Sequence, residues 1–117
     1  MNIETIRECI LQKPSVTEGF PFGEDTLVFK VNGKIFLLAG LDSSPLQFNV
    51  KCDPEKAIQL REDHPESVLP GYHMNKKHWN TVDFEGRISD KELKKMIDNS
   101  YDLIVGSLTK KQRELLT

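Results

Sequence analysis

A chain of 117 residues, 38% hydrophobic and 29% charged, has the size and composition of one globular domain, which excludes disordered and fibrous classes. Its net charge of -2 excludes a general basic excess, so contact with nucleic acid requires charge segregated onto one face. No apolar run reaches the roughly 20 residues of a bilayer span, and the start MNIETIRECI is not a secretory signal. The expected location is therefore the cytoplasm, with no membrane partner and with Cys9 and Cys52 reduced.

The elements follow in chain order. Ile3, Ile6, Ile10 and Leu11 recur at helical spacing, predicting a helix over Asn2 to Lys13 that Pro14 stops. A loop with breakers follows, Glu18-Gly19-Phe20-Pro21-Phe22-Gly23. Thr26–Val31 and Lys34–Leu41 are β-rich runs joined by Asn32-Gly33, a pair that accepts the positive φ angles of a type I′ hairpin turn. A plain two-residue hairpin sets Phe29 opposite Phe36 and Leu27 opposite Leu38 on one face. It leaves Val28, Ile35 and Leu37 on the other, an apolar face that needs covering by more chain or by another subunit. From Leu46 to Cys52, apolar residues alternate strictly with Gln47, Asn49 and Lys51, predicting a half-buried strand.

Asp53-Pro54 opens a second helix, aspartate capping it and proline at its first position. Ala57, Ile58 and Leu60 form its inner face, and His64-Pro65 ends it. Val68-Leu69 and His78–Phe84 read as short strands. Ser89 with Glu92 makes a capping box for a third helix whose inner face is Leu93, Met96, Ile97, Tyr101 and Ile104. Thr109 with Gln112 starts a short terminal helix ending near Leu116. The expected fold is one α+β domain in α-β(3)-α-β(2)-α order, with a mostly antiparallel sheet and a short extra helix.

Chemistry is sparse along this chain. The histidines are His64, His73 and His78, and the nearest pair, five apart, falls on opposite faces of a strand. The usual zinc spacings are absent, so neither metal nor cofactor is expected. Cys52 precedes a helix start, where a thiolate is favoured, but its strand alternation puts the sulfur in the core. What stands out is PGYHMNKKHWNTV, Pro70 to Val82, with two lysines, two histidines, two asparagines, the only tryptophan and no acid. Lysines neutralise phosphates, Asn75 and Asn80 can reach backbone or base edges, and Tyr72 and Trp79 can stack on bases if accessible. The competing reading makes Trp79 a core aromatic and the lysines part of a solvated turn. A second basic cluster, Lys110, Lys111 and Arg113, starts the terminal helix; a solvated face is its simplest account.

The same tract closely resembles the signature of the YjbR/MmcQ family of small bacterial proteins. Phe20-Pro21-Phe22-Gly23 before the hairpin, Lys51-Cys52-Asp53-Pro54-Glu55, and Ser100-Tyr101-Asp102-Leu103-Ile104-Val105 fit as well, so the resemblance spans nearly the whole chain. It implies an α-β(3)-α-β(2)-α arrangement like that of type III secretion chaperones and the frataxin-like, or CyaY-like, shape. Family members have been likened to the double-wing DNA-binding fold, which implies DNA as a partner through His73, Asn75, Lys76, Lys77, His78 and Trp79. That is analogy of fold, not of site. The resemblance supplies no catalytic residue, so no enzymatic activity is expected.

Two classes of function remain open: sequence-tolerant DNA binding through Asn75 to Trp79, and a protein- or peptide-binding adaptor or homodimer through Val28, Ile35 and Leu37. A small-molecule pocket beneath Tyr72, His73 and Trp79 ranks last.

Overall fold

In the computed structural model, which describes residues 1–42, 46–72 and 74–114, the chain runs α1 (Ile3–Leu11), β1 (Val16–Gly19), β2 (Thr26–Val31), β3 (Lys34–Gly40), β4 (Gln47–Lys51), α2 (Pro54–Asp63), β5 (Val68–Pro70), β6 (Trp79–Asp83), α3 (Asp90–Ser107) and α4 (Lys110–Glu114). Among the described residues the strands form one six-stranded sheet, ordered β1-β2-β3-β4-β6-β5, with every pairing antiparallel. The α+β class read from the sequence is the one the chain adopts. The end of the terminal helix, expected near Leu116, lies outside the described residues.

β1 is a strand more than the sequence predicts. Its residues, VTEG, carry no apolar alternation; they pair as an edge along β2, from Val16 opposite Val31 to Gly19 opposite Val28. An ion pair between Glu18 and Arg7 of α1 ties this edge to the helix layer.

Helix ends follow the capping residues. Asn2 accepts the Thr5 amide at 2.8 Å, Asp53 accepts those of Glu55 and Lys56, and Ser89 accepts that of Glu92. Thr109 and Gln112 exchange reciprocal bonds at 3.0 and 3.1 Å. Helices α1, α2 and α3 bury one stripe each against one face of the sheet, in a single core with Phe29, Phe36, Phe48, Val82 and Phe84. On α2 the stripe is Ala57 and Leu60; Ile58, expected inside, is 53% exposed. One residue past Ala57 turns about 100° away from the sheet, and the inward place four residues on belongs to Arg61.

The hairpin departs from its expected register. Asn32 and Gly33 do take positive φ, 49° and 76°, and Val31 faces Lys34. Between Phe29 and Lys30 the ladder then slips, so that Phe29 faces Leu37 and Leu27 faces Ala39. Phe36 is the extra residue of a β-bulge, which lets Phe36 and Leu37 both enter the core. The buried hydroxyl of Ser100 on α3 donates to the Phe36 carbonyl at 2.8 Å, so this departure from the ladder has a fixed partner. The bulge also corrects the outer apolar face: Leu37 lies inside, and Leu38, opposite Val28, takes its place outside. Val28, at 1% exposure, is covered by the chain itself. Leu38 is likewise buried, at 9% exposure, while Ile35 of the same face remains partly exposed.

Candidate functional site

The tract from Pro70 to Val82 is built around an arginine that lies outside it. Asn80, on β6, points its side chain to the helix layer and is fully buried. Its amide donates to the Ala57 carbonyl at 3.3 Å, and its Oδ1 accepts from Arg61 Nε at 2.7 Å. Arg61 Nη2 reaches the carbonyls of Lys76 and Trp79. One side chain of α2 thus gathers three points of the segment, a use suited to a planar guanidinium with several fixed donors. Gly71 closes the segment: its amide donates to the Trp79 carbonyl at 2.9 Å, and an added Cβ would stand 2.7 Å from Trp79 Cβ, closer than atoms can pack.

The sequence-predicted residues separate against this frame. Asn75 is a turn residue, accepting the Lys77 amide on its side chain at 2.9 Å and the His78 amide on its carbonyl at 3.1 Å. Lys76 is exposed, with its ammonium 3.4 Å from the Gly71 carbonyl. Lys77 is exposed. His78 is partly buried, and its carbonyl accepts the Cys52 amide at 2.7 Å. Trp79 opens β6 opposite Lys51; it is partly exposed and points away from the helices, neither a core residue nor a bare one. His73, and with it the expected small-molecule pocket that included it, lies outside the described residues. Asn80 is a fold residue and is not available to a ligand.

Strand register sorts charge to opposite ends of the sheet. At one end lie Lys34, opposite Val31, Lys51, opposite Trp79, and the turn carrying Lys76, Lys77 and His78. The C-terminus of α3 arrives there too, since Lys34 Nζ is 3.5 Å from Ser107 Oγ. Lys110, Lys111 and Arg113, all exposed, follow on α4 within the next few residues. A cleft of about 330 Å³ between Lys51, Asp53, His78, Leu103, Ile104 and Ser107 joins these elements, so one exposed carboxylate, Asp53, sits among the cations. At the other end lie Asp83, opposite Gln47, Glu85, which accepts the Leu46 amide, and Asp42 beside Asp25. A hydrogen bond with Asp25, reinforced by its like charge, raises the Asp42 carboxyl above its usual value. The mild net charge conceals a basic end and an acidic end.

Cys52 is buried, and burial, helped by the neighbouring Asp53 charge, raises its thiol above the usual 9.0. The thiol form is favoured, the reverse of what a nucleophile needs. No helix among the described residues is long and apolar enough to cross a membrane.

Comparison with known proteins places this architecture. The YjbR family model matches residues 11–103. The chain is 39% identical over 111 residues to the uncharacterized protein YbdF of Escherichia coli O157:H7, covering 95% of this chain and 90% of that one. It is 28% identical over 116 residues to the uncharacterized protein YjbR of Escherichia coli K12, covering 99% and 98%. The crystal structure of Deinococcus radiodurans protein DR2400, with a DUF419 domain, superposes with a TM-score of 0.92 at 37% identity, over 98% of this chain and 87% of that one.

Proposed function

The chain belongs to the YjbR family, and we propose that it is a non-catalytic cytoplasmic protein that holds DNA, with little regard to sequence, on the basic end of its sheet. The observation that supports this reading is that strand register brings Lys34, Lys51, Lys77 and His78 to one end, away from the acidic end, where the C-terminus of α3 also arrives, three residues before the exposed lysines of α4. A phosphate backbone is attracted by such an end even when net charge is slightly negative, because screening confines each pole's influence to about 10 Å at 0.1 M salt. Asn75 and Arg61 hold the turn that presents Lys77, so their part is to position it.

Fluorescence anisotropy of short labelled DNA, titrated from low to physiological salt, tests the proposal. Affinity should fall steeply with salt, and combined Lys77→Ala, Lys110→Ala and Lys111→Ala should flatten the slope by about two to three phosphate contacts. An unchanged affinity and salt slope in the triple variant would remove the basic end as the site.

A further inference from the structure

Resting on the basic-end reading, we propose that the preferred ligand is a single strand, laid across the outer face of β4, β6 and β5 with a base stacked on Tyr72. On this half of the sheet Phe48, Val50, Asn80, Val82 and Val68 point to the helices, so Asn49, Lys51, Trp79, Thr81 and Leu69 point away. Helices α1, α2 and α3 lie on the other side. Tyr72 is fastened to this outer face, because its amide donates to Thr81 Oγ1 at 3.0 Å, and Thr81 in turn bonds Asn49. Its side chain is nevertheless presented: Tyr72 is 69% exposed and Leu69, beside it, 44%. A large exposed aromatic on a rigid, hydrogen-bonded mount is what base stacking uses, since each base offers a π-face only when it is unpaired.

Charge on this face favours a strand over other partners. Lys51 and Trp79 are cross-strand neighbours, Lys77 lies in the turn immediately before them, and Asp83 sits at the far end of β6. A polyanion with flat apolar groups therefore meets Lys51 and Lys77 at one edge of the aromatic patch, where Asp53 is the nearby carboxylate, and Asp83 at the other. Paired DNA would meet the same cations but has no free base for Tyr72. The stacking residues thus discriminate by strand state, while the lysines do not.

Trp79 is the only tryptophan, which makes its emission a local reporter. The test titrates the full chain with oligo(dT), oligo(rU) and a duplex of equal length at low salt, reading anisotropy and Trp79 emission together. Both single strands should bind more tightly than duplex and change Trp79 emission; the tighter one names the natural polymer. Tyr72→Ala should weaken single-strand binding on the order of 5- to 150-fold, the span of one base–aromatic stack, and leave duplex binding unchanged. Tyr72→Phe should retain the affinity. Leu69→Glu, which adds an anion to the face without touching the ring, should also weaken single strands selectively. Equal binding of single and double strands, with Trp79 emission constant and Tyr72→Ala silent, would overturn the single-strand inference and leave the basic end standing. No binding of any polymer at low salt would overturn both.

Discussion

Replacing Arg61 by methionine should loosen the Pro70–Val82 tract from α2, and the expected cost can be worked contact by contact. Methionine keeps the apolar stem but supplies no donor. The Asn80 Oδ1, fully buried and 2.7 Å from Arg61 Nε, then has no partner; an orphaned buried acceptor costs about 1–3 kcal/mol. The Trp79 carbonyl keeps the Gly71 amide at 2.9 Å, and the Lys76 carbonyl lies where water can replace the guanidinium, so these two add little. The sum, about 1–3 kcal/mol, is a sizeable part of the roughly 5–15 kcal/mol that holds an ordinary domain together. Urea unfolding followed by circular dichroism measures it. A second variant separates the bond from the side chain's bulk. Replacing both partners by apolar groups, Arg61→Met with Asn80→Leu, should cost less than the sum of the two single changes by about 1 kcal/mol or more. Strict additivity, with Arg61→Met within about 0.5 kcal/mol of the parent, would show that the arginine does not anchor the tract.

Two further outcomes follow from the fold. Ser100→Ala removes the buried donor to the Phe36 carbonyl and should cost about 1–3 kcal/mol in urea unfolding; a silent change would mean that the bulge needs no such support. Arg7, hydrogen-bonded to Glu18, holds that carboxyl below its usual 4.5. A depressed carboxyl contributes stability above the usual value and loses it as pH falls through the depressed one. Glu18→Gln should therefore be less acid-sensitive than the parent between pH 7 and 3, by a small margin because the pair is largely exposed; identical acid sensitivity would refute this.

Much of the fold is legible in the sequence because separate local signals agree. Asn32-Gly33, Asp53-Pro54 and Ser89 with Glu92 each mark an element boundary, and each acts there in the structure. The register of the hairpin is not legible, for a definite reason. Ile35, Phe36, Leu37, Leu38 and Ala39 are all apolar, so period-two alternation carries no parity, and a one-residue slip exchanges the faces without placing a polar side chain wrongly. What fixes parity is Ser100, sixty-four positions away. Its polar interruption of the Met96, Ile97, Tyr101, Ile104 stripe was the one available sign. β1 is not legible in the sequence because VTEG is an edge strand held by partners on β2 and α1 rather than by its own pattern.

The same reasoning divides the tract that stands out in the sequence. Gly71 is there because no Cβ fits beside Trp79, Asn75 because its side chain closes a turn, and Asn80 because α2 offers it Arg61 and the Ala57 carbonyl. These residues explain why the segment has so distinctive a composition without any ligand. Arg61 carries no sequence sign of its part in the site, since it sits in the charged stretch Arg61-Glu62-Asp63 of a helix. The side chains of Lys77, exposed, and of Tyr72, 69% exposed, nevertheless reach solvent, and Lys51 and Trp79 point away from the helices. A turn fastened by so many internal bonds is a rigid mount, and rigidity lowers the entropy that a ligand must overcome on binding. The structural part of the tract and its binding part are thus complementary: the first fixes in place the few side chains that the second leaves facing solvent.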